Sequence, residues 1–221
     1  MFVRYPAAYR DVWGEEITTI ENDSKLLRMR VRGAEFTGSS FDSLEAPHDA
    51  TEAQLSSFTL MTSYKMLCSC CIDCDIPIKV VAGNECMEAT LHMHLDLGSP
   101  RPNGRIEHEY LQLTLAIGDA TFISSGKSGG WFEDELGDIQ RALPEGMYTK
   151  SCINCAFSDY SIFGQGMFGD MACFRDNRQA YLAARGKREF MRIWDTKTEQ
   201  VQETYLCPEF QRRTPGTGYR G

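Results

Sequence analysis

Three features of the sequence predict an α+β fold: an antiparallel, β-rich, sandwich-like body, one amphipathic helix, and a C-terminal helical module stabilised by zinc. Apolar and polar residues alternate through much of residues 15–97 and 106–123, the period of half-buried strands. Over residues 131–143 the period changes to that of a helix. Beyond residue 150 the texture turns to Cys, Gly and aromatic residues, followed by two short helical patterns.

Taken in order, residues 15–20 and 25–32 flank Glu21-Asn22-Asp23-Ser24, a turn-forming run that predicts a hairpin. A further strand runs through Phe36. Residues 38–57 are polar, with Gly and Pro, and read as a loop with one short helical turn; a long strand over 58–81 follows. Met87, Ala89, Leu91, Met93 and Leu95 alternate with polar positions, as do Leu111, Leu113, Leu115 and Ile117, so 85–97 and 106–117 should pair antiparallel. Phe132, Leu136, Ile139 and Leu143 share one helical face, and Pro144 stops the pattern. Glu133-Asp134-Glu135 in its first turn reads as a complement to the helix dipole rather than a catalytic carboxylate cluster. Helical patterns at 177–185 and 187–195 are separated by Gly186, and 199–210 is extended. Three regions result: a body over 1–150, a four-cysteine module over 151–211 packed on it, and a flexible tail over 212–221, for which docking or closure onto the body is the alternative.

Composition narrows the function classes. The chain has 221 residues, 42% hydrophobic and 24% charged, enough for a sizeable core. A net charge of −8 opposes sequence-independent binding to nucleic acid or anionic lipid. The charge is uneven: residues 1–150 carry 13 basic against 23 acidic groups, residues 151–221 carry 10 against 8. The N-terminus lacks the apolar run of a secretory signal, no stretch reaches membrane-spanning length, and nine cysteines form an odd set, so reduced thiols in a cytoplasmic protein are expected.

Cys152-Ile153-Asn154-Cys155 has the C-x2-C spacing that lets a tight turn aim two thiolates at one tetrahedral ion. Cys173 follows after 17 residues, and Cys207, in Leu206-Cys207-Pro208, after 33 more. Four thiolates fill a tetrahedron and leave no position for water or substrate, so zinc held by Cys152, Cys155, Cys173 and Cys207 would fold the module rather than catalyse. The competing readings are core thiols at Cys173 and Cys207 with a redox pair at Cys152 and Cys155, but the βαβ setting of such a pair is missing. Cys68, Cys70, Cys71 and Cys74 lie along a strand; collinear residues cannot surround one ion, and they read as small core hydrophobes. Cys86 is unassigned.

His92 and His94 share the polar face of one strand, and His108 lies on that of its partner. A register opposing His94 to His108 would bring three imidazoles together as an open, water-activating metal site, the basis of a metal-dependent hydrolase reading; otherwise they belong to a solvated strand face. Gly164-Gln165-Gly166-Met167-Phe168-Gly169 matches a dinucleotide fingerprint only in letters; it reads as turns, with Phe163 and Phe168 as local core. Ser158-Asp159-Tyr160-Ser161 reads as a loop held by side-chain to backbone bonds.

The stretches Cys152-x2-Cys155, Phe157-Ser158-Asp159-Tyr160, Gly164-x-Gly166-x-Phe168-Gly169, Cys173-Phe174-Arg175 and 201–210, Val-Gln-Glu-Thr-Tyr-Leu-Cys-Pro-Glu-Phe, resemble an uncharacterised bacterial family, a domain of unknown function of about this length. The resemblance covers the chain, is specific from about Phe132 onward, implies a bacterial cytoplasmic protein, and brings no activity with it. With a closed metal site, an acidic body and no legible catalytic set, the leading expectation is a non-enzymatic binding or interaction protein of the adaptor or toxin-immunity type, with a protein partner and no nucleic-acid or membrane partner. The hydrolase using His92, His94 and His108 is the runner-up, and a structural subunit of a larger assembly the third reading.

Overall fold

The computed structural model describes residues 2–62 and 64–219. Antiparallel hairpins build its main sheet. Strands β1 (Val3–Asp11) and β2 (Gly14–Asn22) pair along their whole length, and β3 (Leu27–Val31) and β4 (Ala34–Gly38) follow. The β3–β4 turn has two central residues, Arg32 and Gly33, both at positive φ (48° and 78°), the twist that two-residue hairpin loops require. Strand β5 (Cys70–Ala82) returns to pair with β1, then runs into β6 (Glu85–Leu97), β7 (Glu109–Ile117) and β8 (Ala120–Ile123). The order is β4-β3-β2-β1-β5-β6-β7-β8, with short β9 (Met147–Thr149) on the far end of β5.

Alternation decides which face is buried. Cross-strand rows Ile72–Leu95–Leu111, Cys74–Met93–Leu113 and Ile76–Leu91–Leu115 all point inward, joined by Tyr5, Tyr9, Ile20, Met29 and Phe36 from the other half. The expected sandwich-like pairing of two sheets is corrected: one large sheet buries one face, and what covers it is mostly not sheet. The cover comprises the loop after β4, with its short helix α1 (Glu52–Leu55), helix α2 (Phe132–Ala142) and the C-terminal region. Phe41, Phe132 and Phe168, from those three covering pieces, meet with Phe168 centroids 4.9 Å from both partners. Phe168 is thus core as expected, whereas Phe163 is exposed.

Helix α2 buries Phe132, Leu136 and Ile139 against β7 and β8. Its first turn does more than face a dipole. Glu135 is fully buried and accepts from the Gly126 and Ser128 N–H groups, each at 2.9 Å, pinning the loop that precedes the helix.

The strand expected over 58–81 begins only at Cys70. Lys65 and Ser69 sit at φ 53° and 51°, which breaks the extended run, and only isolated bridges (Leu60–Leu67, Glu45–Met66) precede the strand. Cys70 and Cys74 face the core beside Ile72, Cys71 lies on the opposite face, Cys68 is buried ahead of the strand and Cys86 is exposed.

The C-terminal region has a small sheet, β10 (Ser158–Asp159), β11 (Met171–Cys173) and β12 (Glu199–Val201), and helices α3 (Arg178–Ala183) and α4 (Lys187–Ile193). The extended stretch expected over 199–210 is a strand only to Val201, turns taking over after it. Phe174, Tyr181, Phe190 and Ala172 form a second, local core. Residues 212–219 of the expected tail are docked on it: Tyr219 stacks on Phe190 at 4.8 Å, Gly218 donates to the Leu182 carbonyl, and the Arg213 backbone N–H donates to the Asn154 carbonyl at 2.9 Å. Residues 220–221 lie outside the described residues.

Candidate metal centre

The four module cysteines come from three separate pieces of chain. Cys152 opens a 3-10 turn (Cys152–Asn154), and the Cys155 N–H donates to the Cys152 carbonyl at 3.0 Å, so both thiols ride on one tight knuckle. The knuckle is held from both sides. Asn154 donates to Gln140 of α2 at 3.0 Å and to the Thr149 hydroxyl at 2.7 Å, and Ser158 Oγ donates to the Cys152 and Cys155 carbonyls. Cys173 ends β11, opposite Ser158 and Glu199. Cys207 is drawn in because the Cys152 and Ile153 N–H groups donate to the Tyr205 and Glu203 carbonyls, at 3.2 and 3.0 Å.

All four thiols are buried, between 2% and 8% exposed, and none is in a disulfide. They are electrostatic neighbours. Burial raises the Cys152 thiol far above the usual range, and the charges of Cys155, Cys207 and Cys173 push it the same way. Cys173 and Cys207 are raised by burial as well, each eased by one backbone donor two residues on, the N–H of Arg175 and of Glu209. Amide donors at such offsets stabilise thiolate over thiol. Arg175 adds a positive charge, its Nη1 3.8 Å from Cys173 Sγ and its guanidinium paired with Glu199 at 2.6 Å and Glu209 at 3.6 Å. Chemically these are neighbouring soft donors that repel one another when ionised. Among the described residues, no group of three or more His, Cys, Asp or Glu side chains is arranged ready to hold a metal ion.

Near the Cys152 thiol lies a buried carboxyl, Glu203, which no local motif singles out. It accepts from the Tyr160 hydroxyl at 2.9 Å and the Gly169 N–H at 2.8 Å, and burial pushes its pKa up to about 7.

The register separates the histidines. His94 lies opposite Gln112 and His92 opposite Thr114, not opposite His108. His108 stands before β7, where its carbonyl accepts the Gly98 N–H, and its Nε2 faces Asp96 Oδ1 at 3.3 Å. The register the three-imidazole site needs is not the one found: the 98–108 connection forms its own hydrogen-bonded loop and carries His108 past the end of the ladder. Aspartates take its place as the neighbours of His92 and His94. Asp75 and Asp73 lie directly opposite them on β5, with His92 Nδ1 2.9 Å from Asp75 and His94 Nδ1 2.7 Å from Asp73.

The glycine-rich letters of 164–169 fall in turns between the two-residue strand β10 and strand β11, so the helix that must follow a dinucleotide fingerprint is replaced by a strand. Gly169, at φ 87°, lies so close to the 39–43 loop that a Cβ there would sit 2.8 Å from the Ser39 carbonyl oxygen. No helix is long and apolar enough to cross a membrane among the described residues.

Compared with known proteins, residues 3–158 match a family model described as a family of unknown function (DUF6304). No curated protein and no solved structure matches the chain. The matched stretch spans the large sheet, α2 and the knuckle with Cys152 and Cys155; Cys173, Cys207 and the motif stretches from Gly164 onward lie beyond it.

Proposed function

Since the chain belongs to the family of unknown function whose model covers residues 3–158, we propose from its own residues that it is a zinc-stabilised binding protein of the adaptor or toxin-immunity type, working in the cytoplasm through a protein partner. One observation carries the reading: the thiols of Cys152, Cys155, Cys173 and Cys207 are all buried and outside any disulfide, the charges of the other three act on Cys152, and Cys173 and Cys207 have backbone N–H donors in place. Buried thiols left as thiols gain nothing from those donors. Bound to zinc as thiolates they gain charge neutralisation and a cross-link between the knuckle, the small sheet and the Cys207 turn. Binding would draw the sulfurs inward to the zinc–sulfur distance of about 2.3 Å.

A site with four protein ligands has no open position, so the function falls to surfaces. The β1–β2 tip supports a protein contact: Val12, Trp13 and Ile17 are exposed on it, beside Arg10 and Glu15. The test is metal content per chain, by elemental analysis of protein purified without added metal, for the unaltered chain and Cys155→Ser. One zinc per chain, lost in the variant, is expected; fully reduced protein without metal would overturn the zinc centre. For the partner, retrieval of one stable protein from the native host, abolished by Trp13→Ala with Val12→Ala, is expected. Retention of that partner by the double variant would remove the tip from the reading.

A further inference from the structure

We propose that the cavity between the 39–43 loop, the 61–67 segment and the start of β7 binds a small apolar zwitterion of the amino-acid or dipeptide type, its ammonium on Asp42 and Glu109 and its carboxylate toward Arg105. The site shares no residue with the thiol centre or with the β1–β2 tip and depends on neither.

The cavity holds about 470 Å3, a size that suits a small-molecule ligand. Met61, Met66, Leu67 and Ile106 give it an apolar wall. Backbone bonds fix that wall. The Met61 N–H donates to the Met66 carbonyl and the Lys65 N–H to the Met61 carbonyl, each at 2.8 Å, and the Leu67 N–H donates to the Leu44 carbonyl at 3.0 Å. The thioethers can then adjust to the shape of an apolar guest on a backbone that stays put.

One end is acidic. Asp42 sits in the 3-10 turn after β4 (Phe41–Ser43), whose Phe41 is anchored in the core, and Glu109 is the first residue of β7, opposite Leu97. Burial raises both carboxyls above their ordinary range, and the charge of Asp42 raises Glu109 further, so the two act on each other across the cavity. Asp42 accepts from the Ser40 hydroxyl, whereas Glu109 has neither a hydrogen-bond donor nor a cation among the described residues. An ammonium group completes such a pair with charge-assisted hydrogen bonds. His108, also on the lining, is engaged with Asp96 at 3.3 Å.

The other end is basic. A neighbouring cavity of about 290 Å3 shares Met61, Gly104 and Arg105 with the first and adds Arg101. The loop carrying both arginines is closed on itself, the Arg101 N–H donating to the Arg105 carbonyl at 2.6 Å, and among the described residues neither guanidinium is in an ion pair. Acid at one end, guanidinium at the other and an apolar wall between them select a free ammonium and a free carboxylate on one apolar body. A simple amine would leave the arginines unmet, and a fatty acid would set its carboxylate against Glu109 or its tail against charge.

The test is a calorimetric titration of L-leucine and of L-leucyl-L-leucine into the full-length protein, with the N-acetylated form of each as control. Circular dichroism establishes that the variants Glu109→Gln and Arg105→Ala are folded, and Arg105→Ala, on an exposed loop, carries the test alone if Glu109→Gln is not. Expected are saturable binding of one ligand per chain and affinity at least tenfold weaker on acetylation of the amine, in Glu109→Gln and in Arg105→Ala. Tighter binding of leucine assigns the site to free amino acids, and tighter binding of the dipeptide to peptides. No saturable binding of either, acetylated forms that bind as tightly as the free ones, or affinity unchanged in the folded variants would overturn the proposal.

Discussion

The Tyr160 hydroxyl donates to Oε1 of Glu203 across 2.9 Å in the interior, between β10 and the segment that leads to Cys207. With the Gly169 N–H on the other oxygen, this carboxyl ties three parts of the C-terminal region together.

Its pKa of about 7 stands well above the ordinary 4.5, so between those values the folded chain holds a proton that the unfolded chain has released. The contribution of Glu203 to stability is therefore full below about pH 4.5 and is lost as pH rises through about 7, an effect on the order of 3 kcal/mol. Glu203→Gln keeps one donor and one acceptor in place and removes the titration. Melting temperatures at pH 5 and pH 8 should differ less in this variant than in the unaltered chain; an identical pH dependence would remove Glu203 as its source.

Thiol labelling resolves the cysteines into classes. Cys86 is exposed and should react at once, whereas Cys68, Cys70 and Cys74 are buried in or beside the large sheet and should stay protected until the chain unfolds. On the zinc reading proposed above, a chelator should expose Cys152, Cys155, Cys173 and Cys207 to reagent while the sheet cysteines remain slow, read by mass spectrometry of labelled peptides.

Phe168→Ala should cost about 3–5 kcal/mol, because the ring is 1% exposed and fills the junction of Phe41 with Phe132. Denaturant unfolding measures it. A loss below about 1 kcal/mol would mean that the loop, helix and C-terminal region do not depend on this junction.

Gly169→Ala should destabilise by more than 1 kcal/mol, since it combines a positive φ with a Cβ 2.8 Å from a backbone oxygen. Gly186→Ala, at an extended N-cap of α4 where a Cβ meets nothing within 4 Å, should cost less, under about 1 kcal/mol, the lost cap preference being offset by the lower entropy of the unfolded chain. Equal melting points for the two variants would contradict the close approach of the 164–170 turns to the 39–43 loop.

The sequence revealed those parts whose pattern is local. The β5–β6–β7 rows follow from alternation that is nearly unbroken from Met87 to Leu97 and Leu111 to Ile117, and α2 from Phe132, Leu136 and Ile139 at helical spacing. Strand β1 was hidden because Pro6 and Ala7-Ala8 dilute the Tyr5, Ala7, Tyr9 alternation. The number of sheets was not legible, because alternation says which face of a strand is buried and nothing about what covers it. Register was the other gap. The histidines were visible as a pair, but their partners, Asp73 and Asp75, depend on the two-residue β5–β6 turn, and the displacement of His108 depends on hydrogen bonds within its loop. The C-x2-C knuckle was visible as a local spacing, while Arg175, Glu203 and the backbone donors to Cys173 and Cys207 became visible only in three dimensions.

Tyr219 on Phe190 has a consequence for the order of events during synthesis. The chain makes every strand of the large sheet before Cys207 emerges, and Cys207 before the ring that covers Phe190. The sheet therefore waits with part of its cover, Phe168 and the Cys207 turn, still unmade. Until residues 168–207 are made its apolar face is open to other nascent chains, and that stretch of translation is the interval in which a chaperone would have most to do.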